Sequence, residues 1–293
     1  MKRYLILILS GILVIFTSTK SNAQYADFGV SLGLTTYWGD LNAPSFTTNY
    51  IHNSGLAFGL HGRLMRGERL GIRGSFMYGT INGNDSRSDV QWQLQRNLDF
   101  SSYIAELAVM GEFYILPFST QPGRFFFAPY VTAGVAAFWF NPVTQYQGRE
   151  VHLQPLGTEG QGMAGRPDKY RLNNISIPMG AGAKFILTET INLGFEVVLR
   201  RSFTDYIDDV STTYVNYDDL SRANGVLSAR LSNRFNEYLG QNEPVVVPTG
   251  SQRGGEKVPD YYIATMVSLN FVITDSNGRK KLGGNKVSCP TFK

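Results

Sequence analysis

INLGFEVVLRRSF, residues 191–203, is the stretch on which the fold turns. Side chains of a strand alternate between faces, so Ile191, Leu193, Phe195, Val197 and Leu199 form one row. Asn192, Gly194, Glu196, Val198 and Arg200 form the other. A soluble sandwich could bury the first row in its core. A transmembrane barrel could turn that row to lipid and keep Glu196 and Arg200 in a polar lumen. The run from Ile191 to Leu199 matches the roughly 9–11 residues a tilted strand needs to cross a bilayer.

The rest of the chain decides for the barrel. Alternating segments recur at residues 28–37, 55–65, 69–79, 100–116, 125–140, 175–187 and 261–273. With 191–203 they make eight strands. Their connections alternate in length: long after the first, third, fifth and seventh strands, short after the second, fourth and sixth. That sorting, with an even strand number, is the pattern of an antiparallel transmembrane β-barrel with short periplasmic turns and long extracellular loops. The aromatic clusters at the two ends of 125–140 (Phe125, Phe126, Phe127 and Phe138, Trp139, Phe140) read as two interfacial girdles. Tyr37 and Trp38, at the end of the first strand, read the same way.

Residues 1–23 carry the marks of an export signal: Lys2 and Arg3, the apolar run YLILILSGILVIF, then Ser21-Asn22-Ala23. The mature barrel is expected over 24–273, with a polar periplasmic tail over 274–293. Three of the 27 basic residues lie in the signal, leaving 24 against 23 acidic ones, which gives no support to a nucleic-acid partner. Aromatics at 13% with 31 glycines suit many short strands, and 17% charged residues is low for a water-exposed surface.

Eight strands enclose a space that side chains fill. The inward rows supply Arg63, Arg73, Lys184 and Arg200 against Glu106, Glu112 and Glu196. These are expected to pair as a salt-bridged plug, because an unpaired charge there is costly. A selective pore is the lesser alternative.

Outside the strands, Asp205, Asp208 and Asp209 lack the order of a calcium loop and are expected to pair with Arg200 or Arg201 or to cap turns. Residues 218–239 look helical, with Leu220, Ala223, Leu227, Leu231, Arg234 and Tyr238 near one face. His52, His61 and His152 suggest no hydrolase triad, and no catalytic, cofactor or metal residue is assigned. The lone cysteine, Cys289, falls in the tail. In an oxidising periplasm it points to a disulfide with a partner protein, with a free thiol as the lesser alternative.

Tyr37-Trp38-Gly39-Asp40-Leu41-Asn42 and Arg200-Arg201-Ser202-Phe203-Thr204-Asp205-Tyr206-Ile207-Asp208-Asp209-Val210-Ser211 carry a family likeness. At these two motifs the chain resembles a family of outer-membrane barrels related to PorG, of the type IX secretion system of gliding bacteria and their relatives. Tyr37, Gly39, Asp40 and Asn42 match the first motif; Arg200, Arg201, Asp205, Tyr206, Asp208 and Asp209 match the second. The resemblance implies a non-enzymatic outer-membrane component associated with the periplasmic ring of a PorK-like lipoprotein and a PorN-like protein, with Cys289 a candidate for covalent attachment to the lipoprotein. The alternative is a barrel with an enzymatic or ligand-binding site at its outer mouth, near Asp205–Asp209 and His152.

Overall fold

The computed structural model describes residues 25–42, 45–118, 126–255 and 259–273. The expected signal segment and the expected tail with Cys289 lie outside these residues.

Among the described residues there are ten strands: β1 Tyr25–Trp38, β2 Ser54–Arg66, β3 Leu70–Asn84, β4 Asp99–Tyr114, β5 Phe127–Phe140, β6 Val143–Tyr146, β7 Arg149–His152, β8 Asn173–Ile186, β9 Ile191–Ser202 and β10 Tyr261–Val272. Eight of them pair antiparallel with their neighbours in turn, and β1 closes the sheet on β10 from Asp27↔Val272 to Trp38↔Tyr261. β6 and β7 form a separate hairpin joined to β4 through the single pair Ser101↔Val143. The result is a closed eight-stranded antiparallel β-barrel. It has no free edge, so every strand finds its hydrogen bonds within the wall.

Alternation sorts the wall. Along β4 the side chains of Ile104, Glu106, Ala108, Met110 and Glu112 are buried, while Tyr103, Leu107, Val109 and Phe113 are exposed. The exposed rows continue around the barrel through residues such as Leu32 (71% exposed), Leu56 (80% exposed), Val135 and Phe195. An apolar surface this extensive and closed on itself cannot be solvated at low cost by water, and it is the lipid-facing belt of a membrane-spanning barrel.

The turns lie at one end and the loops at the other, and β1 begins and β10 ends at the turn end. Several loop features differ from the sequence expectation. The first loop holds helix α1 (Phe46–His52), the second holds α2 (Gln91–Arg96), and the third holds the β6–β7 hairpin. The single helix expected over 218–239 is three short ones: α3 Tyr217–Asn224, α4 Val226–Ser232 and α5 Phe235–Tyr238. Gly225, at φ 97° and ψ 158°, breaks the first junction with a backbone geometry open to glycine alone, and Asn233 is extended at the second. Leu220 and Leu231 are buried, whereas Tyr238 and Leu239 are exposed, so no continuous apolar face survives.

The aromatic girdles also need correcting. Only Trp139 of the upper β5 cluster faces out; Phe138 and Phe140 are buried inside, packed on Tyr262 and Tyr170. Tyr37 is likewise buried rather than interfacial, because it shares the inward row of Thr35.

Val109 sits near mid-strand on the exposed face. Val109→Arg should destabilise the barrel in lipid vesicles by about 2–4 kcal/mol in a denaturant titration, the cost of a charge on the lipid face. A cost near zero would place that face in water.

Candidate functional site

Two buried polar assemblies fill the barrel from the turn end to the loop end. Toward the turns, Arg63 donates to Asp27 through Nη1 (2.7 Å to Oδ1) and to Glu112 through Nε (2.7 Å). Arg73 reaches Glu196 through Nη2 (2.6 Å) and stands 3.2 Å from Glu112. Lys184 donates to Asp27 at 2.9 Å and lies 4.7 Å from the Phe118 ring. Tyr114 and Tyr130 complete the set, donating to Glu112 (2.8 Å) and Glu196 (2.9 Å). Higher up, Arg200 pairs with Glu106 at 3.2 Å, and Tyr262 donates to the same carboxylate at 2.6 Å.

Asp27 is the member that sequence reading left out. It lies just before the expected start of β1, yet its place on the row of Gly29 and Ser31 puts it inside. With it the interior charges balance: Arg63, Arg73, Lys184 and Arg200 against Asp27, Glu106, Glu112 and Glu196. Each cation has an anion beside it, which is what a low-dielectric interior demands.

The loop end is closed by a cap. Apolar residues of the upper lumen (Phe138, Phe140, Tyr262) share one core with Leu153, Ile207, Val210 and Leu231 of the loops. Above it the two sequence motifs meet. The Tyr37 hydroxyl lies 2.7 Å from Asp208 Oδ2 and 2.8 Å from Asp260 Oδ1, and it accepts the Asp40 amide at 2.9 Å. Asp208 also accepts from Val210 N (2.9 Å), and Asp260 from Ile207 N (2.8 Å). Asp40 accepts from Gly255 N at 2.8 Å, and Asn42 from Gly39 N at 2.9 Å. Any side chain at Gly39 would collide, since a Cβ there would lie 1.9 Å from the Tyr37 hydroxyl.

Asp209 takes the other direction, accepting from Thr158 (2.6 Å) and Tyr170 (2.7 Å). Arg253 donates to the Asp209 carbonyl (2.7 Å), to Glu159 (2.8 Å) and to the Ser232 carbonyl (2.9 Å). Glu159 in turn accepts from Ser211 N (2.9 Å) and the Thr212 hydroxyl (2.7 Å). Tyr206 stacks on Tyr170 at 4.8 Å, and Asp205 accepts from Ser211 at 2.8 Å. A second tie runs from Arg96 to Asp85 (2.7 Å, twice) and to the carbonyls of Asp40 (3.0 Å) and Arg253.

The expected pairing of Asp205, Asp208 and Asp209 with Arg200 or Arg201 is therefore not what forms. Arg200 points into the lumen toward Glu106, and Arg201 lies on the outward row. His152 sits on the β6–β7 hairpin with Asn141 at 3.1 Å. Asp260, Glu159, Arg253, Arg96 and Asp85 lie between the barrel strands where no motif surrounds them, so no local pattern marks them in the sequence.

The geometry at Tyr37 has a chemical consequence. One hydroxyl can donate only once, and its oxygen already accepts from Asp40. Both carboxyls can approach only if one of them is a carboxylic acid donating to Tyr37. Burial pushes Asp208 and Asp260 well above the ordinary carboxylate range, and Asp208 is raised further by the charges of Asp260 and Asp40. Burial also pushes Asp209 up to about 6, against the pull of Arg253.

The chain belongs to the family described as a domain of unknown function (DUF6089), matched over residues 6–228. No curated protein matches it. Among solved structures it is similar to Ail of Yersinia pestis in complex with the heparin analogue sucrose octasulfate, at 10% identity over 85% of this chain and 99% of that one, TM-score 0.38. It is also similar to Neisserial surface protein A (7% identity, 84% and 96% covered, TM-score 0.39). OprG of Pseudomonas aeruginosa is a third (10%, 87% and 99%, 0.36).

Two outcomes follow from these contacts. Glu112→Ala takes one of two carboxylate partners from both Arg63 and Arg73 and should cost about 3–5 kcal/mol in barrel stability, whereas Arg222→Ala, which breaks an exposed pair with Asp219, should cost under about 1. The cap should weaken as pH rises. A carboxyl whose folded pKa is raised contributes its full stability below the ordinary value of 3.8, and Asp209 loses that contribution as pH passes about 6. Asp208 and Asp260 extend the loss to higher pH. Hydrogen exchange at Ile207, Val210 and Gly255, corrected for intrinsic rates, should show less protection at pH 8 than at pH 5. Asp208→Asn or Asp260→Asn should flatten the difference at the Tyr37 contacts, because an amide supplies the donor at every pH.

Proposed function

We propose that this protein is a non-enzymatic outer-membrane anchor of the type IX secretion machinery, exported by the signal at residues 1–23. On this reading its turn end and tail face the periplasm and associate with a ring of PorK-like and PorN-like proteins. The loops face outward. One observation carries the reading: the two motifs that bear the family resemblance, far apart in the chain, meet in a single buried lock through Tyr37, Asp40 and Asp208. Residues that cooperate in one structural unit are a stronger basis for kinship than two isolated matches. The filled lumen supports the same conclusion, since a plugged cylinder offers its partners only its ends and its outer wall.

The reading also accounts for what the cap does. By fixing the mouth, it lets the barrel resist load applied from the periplasmic side without opening a leak through the membrane. The alternative, a ligand or catalytic site near Asp205–Asp209 and His152, has against it that Asp208 and Asp209 are buried and already engaged.

Affinity capture of the tagged protein from detergent-solubilised outer membranes should recover the ring lipoprotein and its companion. Removal of residues 274–293 should abolish their recovery while the barrel still folds. Cys289→Ser should remove a high-mass species on a non-reducing gel. Undiminished recovery after tail removal would exclude the tail as the contact.

A further inference from the structure

Helix α1 lies outside the wall. The outward row of β1 runs Phe28, Val30, Leu32, Leu34, Thr36, and all but the last are apolar. Thr36 faces the lipid side, yet it is only 1% exposed. Its hydroxyl shares a 2.5 Å hydrogen bond with Ser54, its cross-strand partner on β2, and Ser54 donates to the Tyr50 carbonyl of α1 at 2.5 Å. On the same side, Asn49 is fully buried and donates to the Tyr37 carbonyl at 2.8 Å. Ser45 caps the helix start by accepting the Thr48 amide. At the other end Arg87 donates to the His52 carbonyl at 2.6 Å and to Asn53. The helix is thus pinned down over the two hydroxyls where the apolar belt ends.

Its free side carries the opposite chemistry. Phe46 (58% exposed) and Ile51 (67% exposed) are open to the surroundings, with exposed Thr47 between them and Tyr50 half-buried beside Phe46. Trp38 of β1 packs on Phe46 at 5.7 Å, and Phe46 stacks on Tyr50 at 5.9 Å. Leu56, the next residue after Ser54 on the outward row of β2, is exposed as well. An apolar helix face left open at the level where the belt ends, with the polar groups hidden beneath the helix, is costly to leave in water.

We propose that α1 is a rim helix whose Phe46–Tyr50–Ile51 face is seated in the headgroup–acyl boundary of the bilayer, extending the belt by one helical layer. The partner it fits is a lipid surface. Aromatic side chains favour that boundary, and a short helix lying in its plane sets the depth and tilt of the barrel. This seat exists only if the barrel crosses a membrane, as proposed above.

Nitroxide labels on Ile51→Cys, Leu107→Cys and Arg222→Cys, each in a Cys289→Ser background, separate the two claims. Leu107 lies in the belt; Arg222 is an exposed residue of α3. In vesicles of phosphatidylcholine and phosphatidylglycerol, collision rates with oxygen and with a water-soluble nickel chelate report depth. The label at 107 should favour oxygen, that at 222 the chelate, and that at 51 should fall between, at least threefold more oxygen-favoured than 222. A label at 51 matching 222, with 107 still in lipid, overturns the rim helix and leaves the barrel standing. A label at 107 matching 222 removes the membrane reading and the rim helix together. Phe46→Cys gives the same readout should Ile51→Cys fail to fold.

Discussion

The constraint on which this structure depends is the burial of eight charged side chains in a cylinder too narrow to hydrate them. Taking a charge out of water is expensive, and only a partner at hydrogen-bond distance offsets the cost. The barrel answers with a network in which Glu112 bridges Arg63 and Arg73, and Asp27 bridges Arg63 and Lys184. Two of these links, Arg63–Glu112 and Lys184–Asp27, cross the lumen between strands that do not pair, while Arg63–Asp27 and Arg73–Glu112 join neighbouring strands. The apolar exterior can then be as featureless as lipid requires, because specificity is held inside.

At the loop end the same constraint is met differently. Around Tyr37 the nearest groups are acids, Asp40, Asp208 and Asp260, and a shared proton does the work that arginine does below. Around Asp209 and Glu159 it is Arg253 that balances the charge. The cap therefore combines a joint made by a shared proton with one made through the Arg253 guanidinium.

These features are complementary. The interior is solid and the mouth is tied to the wall by contacts spanning 171 and 223 residues of chain. The belt and the shelf of α1 define where lipid begins. The first strand starts and the last strand leaves at the turn end.

Much of the wall was legible in the sequence by itself. Period-two alternation is a local property, so the eight barrel strands, their loop sorting and the inward placement of Arg63, Glu112 or Lys184 could be read residue by residue. The same rule placed Tyr37 inward, on the row of Thr35, but composition at a strand end suggested a girdle and masked it. What only the tertiary structure decided is which charges meet. Arg200 faces Glu106 across 94 residues, and Arg253 faces Glu159 across another 94. Such pairings are set by how strands close into a ring and loops fold over its mouth. No local pattern encodes that closure, because the free energy that selects each partner arises only after the ring has excluded water.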